Sequence, residues 1–316
     1  MSVLYDAPGP RTRRVTLIAS IVVGLLVVAA LYFFVYRPLD AHGQFTMRKW
    51  GPLIDPDNRF FTVLWKRIGT GVRATLTAAA LAIIVSLVAG TLLAVLRLQF
   101  QHLRRRRFAE HGRVASLALQ GLTKGYNGLL RVNVEVSRGL PVVITIFFVA
   151  RLLHQSGLDF PTLWYLVIGL AIYNGVVIAE ILRSGMTGLP GGQREAAAAL
   201  GFSSFKTIRL ILLPQAFRIM LPALISQLVV VLKDTSLGFL ISYEDLLQIA
   251  TQAINNLNNP IQLYAVIGVI FILINYTLSR LATYTQRRLA RGRKSLAGPA
   301  PTPPPSTVAM TVDAGV

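Results

Sequence analysis

Long uncharged runs alternate along the chain with shorter stretches where polar and charged residues concentrate. Val15 to Tyr36 is the first run, about 22 residues, enough for a helix to cross a hydrocarbon layer ~30 Å thick. Others follow at Ala74 to about Leu96, Val142 to about Leu153, Pro161 to about Leu182, Ile219 to Ile241 and Ile261 to about Leu278. The third is short for a span, so its helix is expected to borrow residues from the stretch before it. This pattern predicts an all-α fold, a polytopic membrane bundle of about six transmembrane helices.

The stretches between the runs refine the picture. Residues 1–14 form a polar leader with Arg11, Arg13 and Arg14. A signal peptide would have a shorter apolar region followed by a small-residue cleavage site, so 15–36 is expected to be a retained span. Residues 37–73 mix Asp40, Asp55 and Asp57 with Phe60, Phe61 and Trp65 among Arg59, Lys66 and Arg67, which suggests a helix lying in the membrane interface before the next span. Ala78, Ala79, Ala80, Ala89 and Gly90 allow the second span to pack closely. Tyr243 to Pro260 is polar and asparagine-rich, an expected extracytoplasmic segment. Residues 289–316 are basic and then proline-rich; they have too little apolar content for a core and are expected to be disordered.

Composition excludes whole classes. Hydrophobic residues make up 53% of the chain and charged residues 14%, a balance that suits a polytopic membrane protein. There is no cysteine, so disulfides and thiolate metal sites are out. The net charge of +19 raises nucleic acid as a partner, but the basic residues flank apolar runs, as the positive-inside rule requires. The leader, the loop with Arg97, Arg104 to Arg107 and Arg113, the segment with Arg194, Lys206 and Arg209, and the run Arg280 to Lys294 all fall on one side. Six spans then place both termini in the cytoplasm of a multi-pass cell-membrane protein. The cations of 37–73 fall outside, partly balanced by nearby aspartates.

Gly188 to Gln215 carries the most ordered local pattern. Pro190, Gly191 and Gly192 break the incoming helix, and Gln193 to Leu200 are good helix formers with Glu195 in the first turn, where a negative charge suits the dipole. Gly201 stands where a glycine closes a helix in a left-handed turn. Ser203 can cap a second helix through Lys206 and Arg209 to Leu213, and Pro214 punctuates its end. The alternative is a helical loop with no further role.

Glu195-Ala196-Ala197, Gly201 separated from Ile211 by nine residues, and Leu213-Pro214 resemble the E-A-A-x-x-x-G-(nine residues)-I-x-L-P signature of the membrane subunits of ABC importers. That resemblance implies a cytoplasmic two-helix coupling loop that docks on an ATPase subunit, with Glu195, Ala196, Ala197, Gly201 and Pro214 in the contact. From Ala74 to about Arg288 the chain is similar to permeases of the polar amino-acid subfamily, through VEVSRGLP, AEILRSGMTGLPGGQREAAAALGF, LLPQAFRIMLPAL and LKDTSLGFLISYEDLL. The span at 15–36 and the proline-rich tail look most like glutamate permease subunits of high-GC Gram-positive bacteria. The resemblance implies a dimer of ATP-binding subunits holding ATP and Mg, a second permease (identical or paralogous), and an extracellular solute-binding protein. The chain has no phosphate-binding loop of its own, so it is expected to be a transport subunit without cofactor and without ATPase chemistry.

Polar residues inside the runs mark the expected pathway. Asn174 needs a partner on another helix or a wet cavity. Lys233, Asp234, Thr235 and Ser236 lie inside the run 219–241. Exposed at its end they would stabilise little; within the bundle they would face substrate, Lys233 meeting a carboxylate and Asp234 an ammonium or Lys233 itself. Glu135/Arg138 and Glu180/Arg183 share an i, i+3 spacing that suits ion pairs at the membrane boundary. Two rival classes remain. An enzyme would want convergent groups, but His42, His102, His111 and His154 are scattered, and His154 with Ser156 lacks a third member. An ion-coupled secondary transporter or channel would use Lys233 and Asp234 directly.

Overall fold

The computed structural model describes residues 9–105, 121, 125, 128, 135 and 139–294. The described chain is helical: α1 (Pro10–Leu31), α2 (Arg37–Ala41), α3 (Met47–Ile54), α4 (Phe61–Arg105), α5 (Val142–Gln155), α6 (Thr162–Thr187), α7 (Gly192–Ala199), α8 (Ser204–Thr207), α9 (Leu213–Asp234), α10 (Leu246–Leu257) and α11 (Pro260–Lys294). Among the described residues, five helical stretches are long and apolar enough to cross a membrane: Pro10–Ala41, Phe61–Gln101, Thr162–Thr187, Ser204–Ile241 and Pro260–Leu281. α5 has 14 residues, about 21 Å at 1.5 Å each; it starts at Val142 after Pro141 with ψ 138°, so it does not borrow from the stretch before it as expected, most of which lies outside the described residues.

α6 is the central post and packs against α4, α5 and α9. Small residues permit this. A Cβ on Gly90 of α4 would stand 2.7 Å from Ile178 Cγ2 and 2.8 Å from the Gly175 carbonyl, so the two backbones are in contact there. Of the small residues expected to pack the second span, Ala78, Ala79 and Gly90 are buried while Ala80 and Ala89 are exposed; Ala94, further along α4, is buried too. One apolar cluster joins Ala94, Leu98, Ile178, Leu182, Met186, Leu212 and Ala216 near the end of α6. Another joins Leu53, Leu64, Ile68, Leu246, Ala250, Leu263 and Ile267 at the opposite end of the bundle.

Four expected boundaries move, the first at the tail: it was expected to be disordered from 289, but α11 runs to Lys294, and 295–316 lie outside the described residues. The second span does not begin at Ala74; α4 is a single helix of 45 residues from Phe61. Leu64 and Ile68, one turn apart, are buried on α10 and α11, and the Trp65 indole donates to the Leu53 carbonyl at 3.0 Å. Tertiary packing therefore carries the helix through a stretch that reads as interfacial. The separate amphipathic piece is α3, with Gly51, Pro52 and Leu53 buried. Pro214 does not end a helix either. Ser204–Ile241 is continuous, because a π turn at Ile208–Leu212 carries the chain into α9, Leu213 N–H donating to Ile208 five residues back, and the proline falls in the first turn of α9. The polar segment 243–260 contains α10, whose Leu246, Ile249, Ala250 and Ala253 are buried at helical spacing.

Candidate functional site

The elbow after α6 is built from sequence-local rules. α7 carries Glu195 in its first turn. It closes with Gly201 N–H on the Ala198 carbonyl and Phe202 N–H on the Ala197 carbonyl, both 3.0 Å, with Gly201 at φ +73°. Ser203 accepts the Lys206 N–H at 3.4 Å and caps α8. Ala197 is buried; Glu195 and Ala196 face outward, beside Leu200 (75% exposed), Phe202 (38%) and Phe205 (46%). An apolar surface on a short charged-flanked helix is what a protein partner would cover.

Polar side chains that sequence reasoning passed over pin this elbow. Arg194 Nη2 donates to the Met186 carbonyl at 2.8 Å, in the last turn of α6, where a cation is favoured. Gln215 Nε2 donates to Gln193 Oε1 at 2.6 Å and to the Ile211 carbonyl at 3.0 Å. Above them, Glu180 accepts from Arg183 at 3.1 and 2.5 Å, the i, i+3 pair expected, and also from Arg97 of α4 at 3.1 Å. Arg97 reads in sequence as the first residue of a basic loop, yet it lies inside α4. Arg138, and with it the Glu135/Arg138 pair, lies outside the described residues.

The polar tetrad sits where α9 tightens into a 3₁₀ segment, Thr235–Ile241. Its members separate. Lys233 lines a lateral pocket of about 540 Å³ with Ser236, Tyr264, Phe271 and Asn275. Asp234 is directed at the Asn174 amide of α6, and its Oδ2 is buried with no hydrogen-bond partner. Among the described residues no ion pair joins Lys233 to Asp234. Both hydroxyls turn back on the helix, Thr235 donating to the Leu232 carbonyl at 2.6 Å and Ser236 to the Lys233 carbonyl at 2.8 Å. Asn174 is fully buried, donates to the Leu170 carbonyl at 3.0 Å and accepts from Gln227 of α9 at 2.7 Å, the interhelical partner its position demands.

Two other polar features bear on the sequence readings. Asp245 caps α10 by accepting the Gln248 N–H at 2.8 Å, outside the spanning segments; burial pushes its carboxyl up to about 6. His154 pairs with Asp159 at 2.7 Å, while Ser156 donates to the Leu152 carbonyl at 2.7 Å, so the two do not form a nucleophile and base.

A helical bundle with small-residue contacts and an E-A-A elbow between two of its spans defines a permease-type membrane subunit. The chain belongs to the family of binding-protein-dependent transport system inner membrane components, which matches residues 115–291. It is 36% identical over 261 residues to the glutamate transport system permease protein GluD of Corynebacterium glutamicum, covering 81% of this chain and 85% of that one. It is 30% identical over 281 residues to the glutamate/glutamine/aspartate/asparagine transport system permease protein BztC of Rhodobacter capsulatus, covering 86% of this chain and 57% of BztC. In fold it matches a chain in the crystal structure of an amino acid ABC transporter with histidines (TM-score 0.57, 24% identity, 72% of this chain and 96% of that chain). A chain of the MetNI methionine ABC transporter in an inward-facing conformation matches at TM-score 0.56 and 18% identity, over 72% of this chain and 98% of that one. The chain is thus the permease subunit of an ABC importer, and the reading as an ion-coupled carrier or channel is not favoured.

Proposed function

We propose that this permease imports polar amino acids, glutamate or a close relative first among them, by alternating access. The names of its relatives GluD and BztC support that substrate class. ATP and Mg bind a separate pair of ATPase subunits, a second permease completes the pathway, and an extracellular binding protein delivers substrate. Both termini face the cytoplasm, which puts the elbow inside.

The observation that carries the coupling role is the elbow itself. α7 is closed by a left-handed glycine and leaves Leu200, Phe202 and Phe205 uncovered at one end of the bundle. Glu195, Ala196, Ala197 and Gly201 form the contact with the ATPase, and Pro214 starts the span that receives the motion. Lys233 and Asp234 serve the substrate from two sides, Lys233 in the lateral pocket and Asp234 beside Asn174. Thr235 and Ser236 hold the 3₁₀ segment.

Reconstitution with the ATPase, the partner permease and the binding protein tests this. ATP hydrolysis should rise with glutamate-loaded binding protein, and uptake should require both. Gly201→Val should remove uptake while the protein stays in the membrane, because a β-branched residue at this φ costs on the order of 1 kcal/mol and misaims α7. Normal uptake by that variant would sink the coupling role.

A further inference from the structure

The elbow has two glycine-containing joints, at Gly188 to Gly191 before α7 and at Gly201 after it. A push on an eight-residue helix between such joints would be absorbed by bending unless something ties α7 to the spans. Two side chains do so. Arg194 binds the end of α6, and Gln215 binds Gln193 of α7. Gln215 is half-buried and stands in the first turn of α9, just past the π turn.

The direction of the Gln215–Gln193 bond is fixed by a third group. Gln215 Nε2 also lies 3.0 Å from the Ile211 carbonyl, which only accepts. The amide nitrogen of Gln215 must therefore point inward, and Gln193 must offer its oxygen. One nitrogen thus joins the wide turn of the span to the coupling helix. We infer that Gln215 is a positioning residue for transport: its amide N–H groups latch α7 to the foot of α9, so that displacement of α7 reaches the membrane span instead of dissipating at the glycine joints. This rests on the coupling role proposed above.

The bond's polarity gives a test that size alone would not pass. Gln215→Glu is nearly isosteric but sets an acceptor against two acceptors; Gln193→Glu keeps the acceptor. In the reconstituted complex, Gln215→Glu should lower substrate moved per ATP by about tenfold, with the KM for amino acid and the amount of co-purified ATPase unchanged. Gln193→Glu should stay near wild type. Equal behaviour of the two, or the reverse order, would overturn the latch.

Should Gln215→Glu fail to assemble, a second route remains, since the native chain has no cysteine. Gln193→Cys/Gln215→Cys joined by a short bifunctional methanethiosulfonate should regain coupling and lose it again on reduction. Bridging that leaves coupling low or stops transport would also overturn the latch. If the wild-type complex itself shows no ATP-driven uptake, the failure belongs to the proposed function and not to Gln215.

Discussion

α1 and α6 both lie in stretches long and apolar enough to span a membrane, and the more apolar one is the less packed. The stretch containing α1 is the more apolar, yet none of its most apolar part is buried within the chain; α6 is less apolar, and 67% of its most apolar part is buried. In water this ordering would be perverse, because burial follows apolar area. In lipid it is expected, because a leucine gains little by leaving hydrocarbon for a protein interior. Helices associate there through close van der Waals contact and hydrogen bonds. α6 has the means: Gly169, Gly175 and Gly185 admit neighbouring helices, Asn174 bonds across to Gln227, and Glu180 reaches Arg97. α1 has Gly24, next to which a Cβ would meet nothing within 4 Å.

The largest test of this contrast is at Gly90. Gly90→Leu should abolish assembly or drop the thermal midpoint sharply, since its side chain would meet the Gly175 backbone, which cannot yield; overpacking costs about 1–3 kcal/mol or more. A normally assembled Gly90→Leu protein would mean that α4 and α6 do not touch as described. Next comes Asp234→Asn, expected on the proposed substrate role of the carboxylate beside Asn174 to cut uptake about a hundredfold while ATPase docking persists. If Lys233→Ala and Asp234→Ala both transport as wild type does, the tetrad is part of the scaffold.

A smaller effect is expected at Asp245. Its carboxyl titrates at about 6 folded against 3.8 as the ordinary value, because burial disfavours the charge. The folded state therefore holds the extra proton between those values. The stability this contributes is complete below the lower value and is lost as pH rises through the upper one. Asp245→Asn keeps a good cap and cannot ionise, so its melting temperature should fall a few degrees less than wild type's between about pH 5 and pH 7.5. Parallel melting curves would remove the buried carboxylate from the account. The smallest change belongs to α1: Leu25→Ala with Leu26→Ala should shift the midpoint by no more than about 0.5 kcal/mol in equivalent stability, as at any unpacked surface. A loss as large as that of Leu182→Ala, about 2–5 kcal/mol for a core site, would show that α1 is packed after all.

The spans and the elbow were legible because both rest on local rules. Length without charge marks a span, and Gly201 with Ser203 marks the end of one helix and the start of another. What escaped the sequence depends on distant neighbours. α4 continues upstream of Ala74 because Leu64 and Ile68 meet Leu246 and Leu263. Pro214 sits within a continuous helix because a π turn precedes it, and nothing in the residue order announces a π turn. Arg97 and Gln215 look like a loop cation and a solvated amide until Glu180 and Gln193 are placed beside them. α10 is different: Leu246, Ile249, Ala250 and Ala253 carried a helical period that the surrounding asparagines obscured.

The unpacked state of α1 also bears on how the protein is made. A helix that buries nothing in its own chain needs no other part of that chain to become stable in lipid. It can leave the translocation channel and settle in the bilayer while α4 to α11 are still being synthesised. Past the C-terminal end of α1, Tyr36 stacks on Phe45 with ring centroids 5.3 Å apart, just before α3 begins at Met47. Insertion and bundle assembly then become separate events, the first governed by oil–water partitioning and the second by glycine contacts that form only after the later helices arrive.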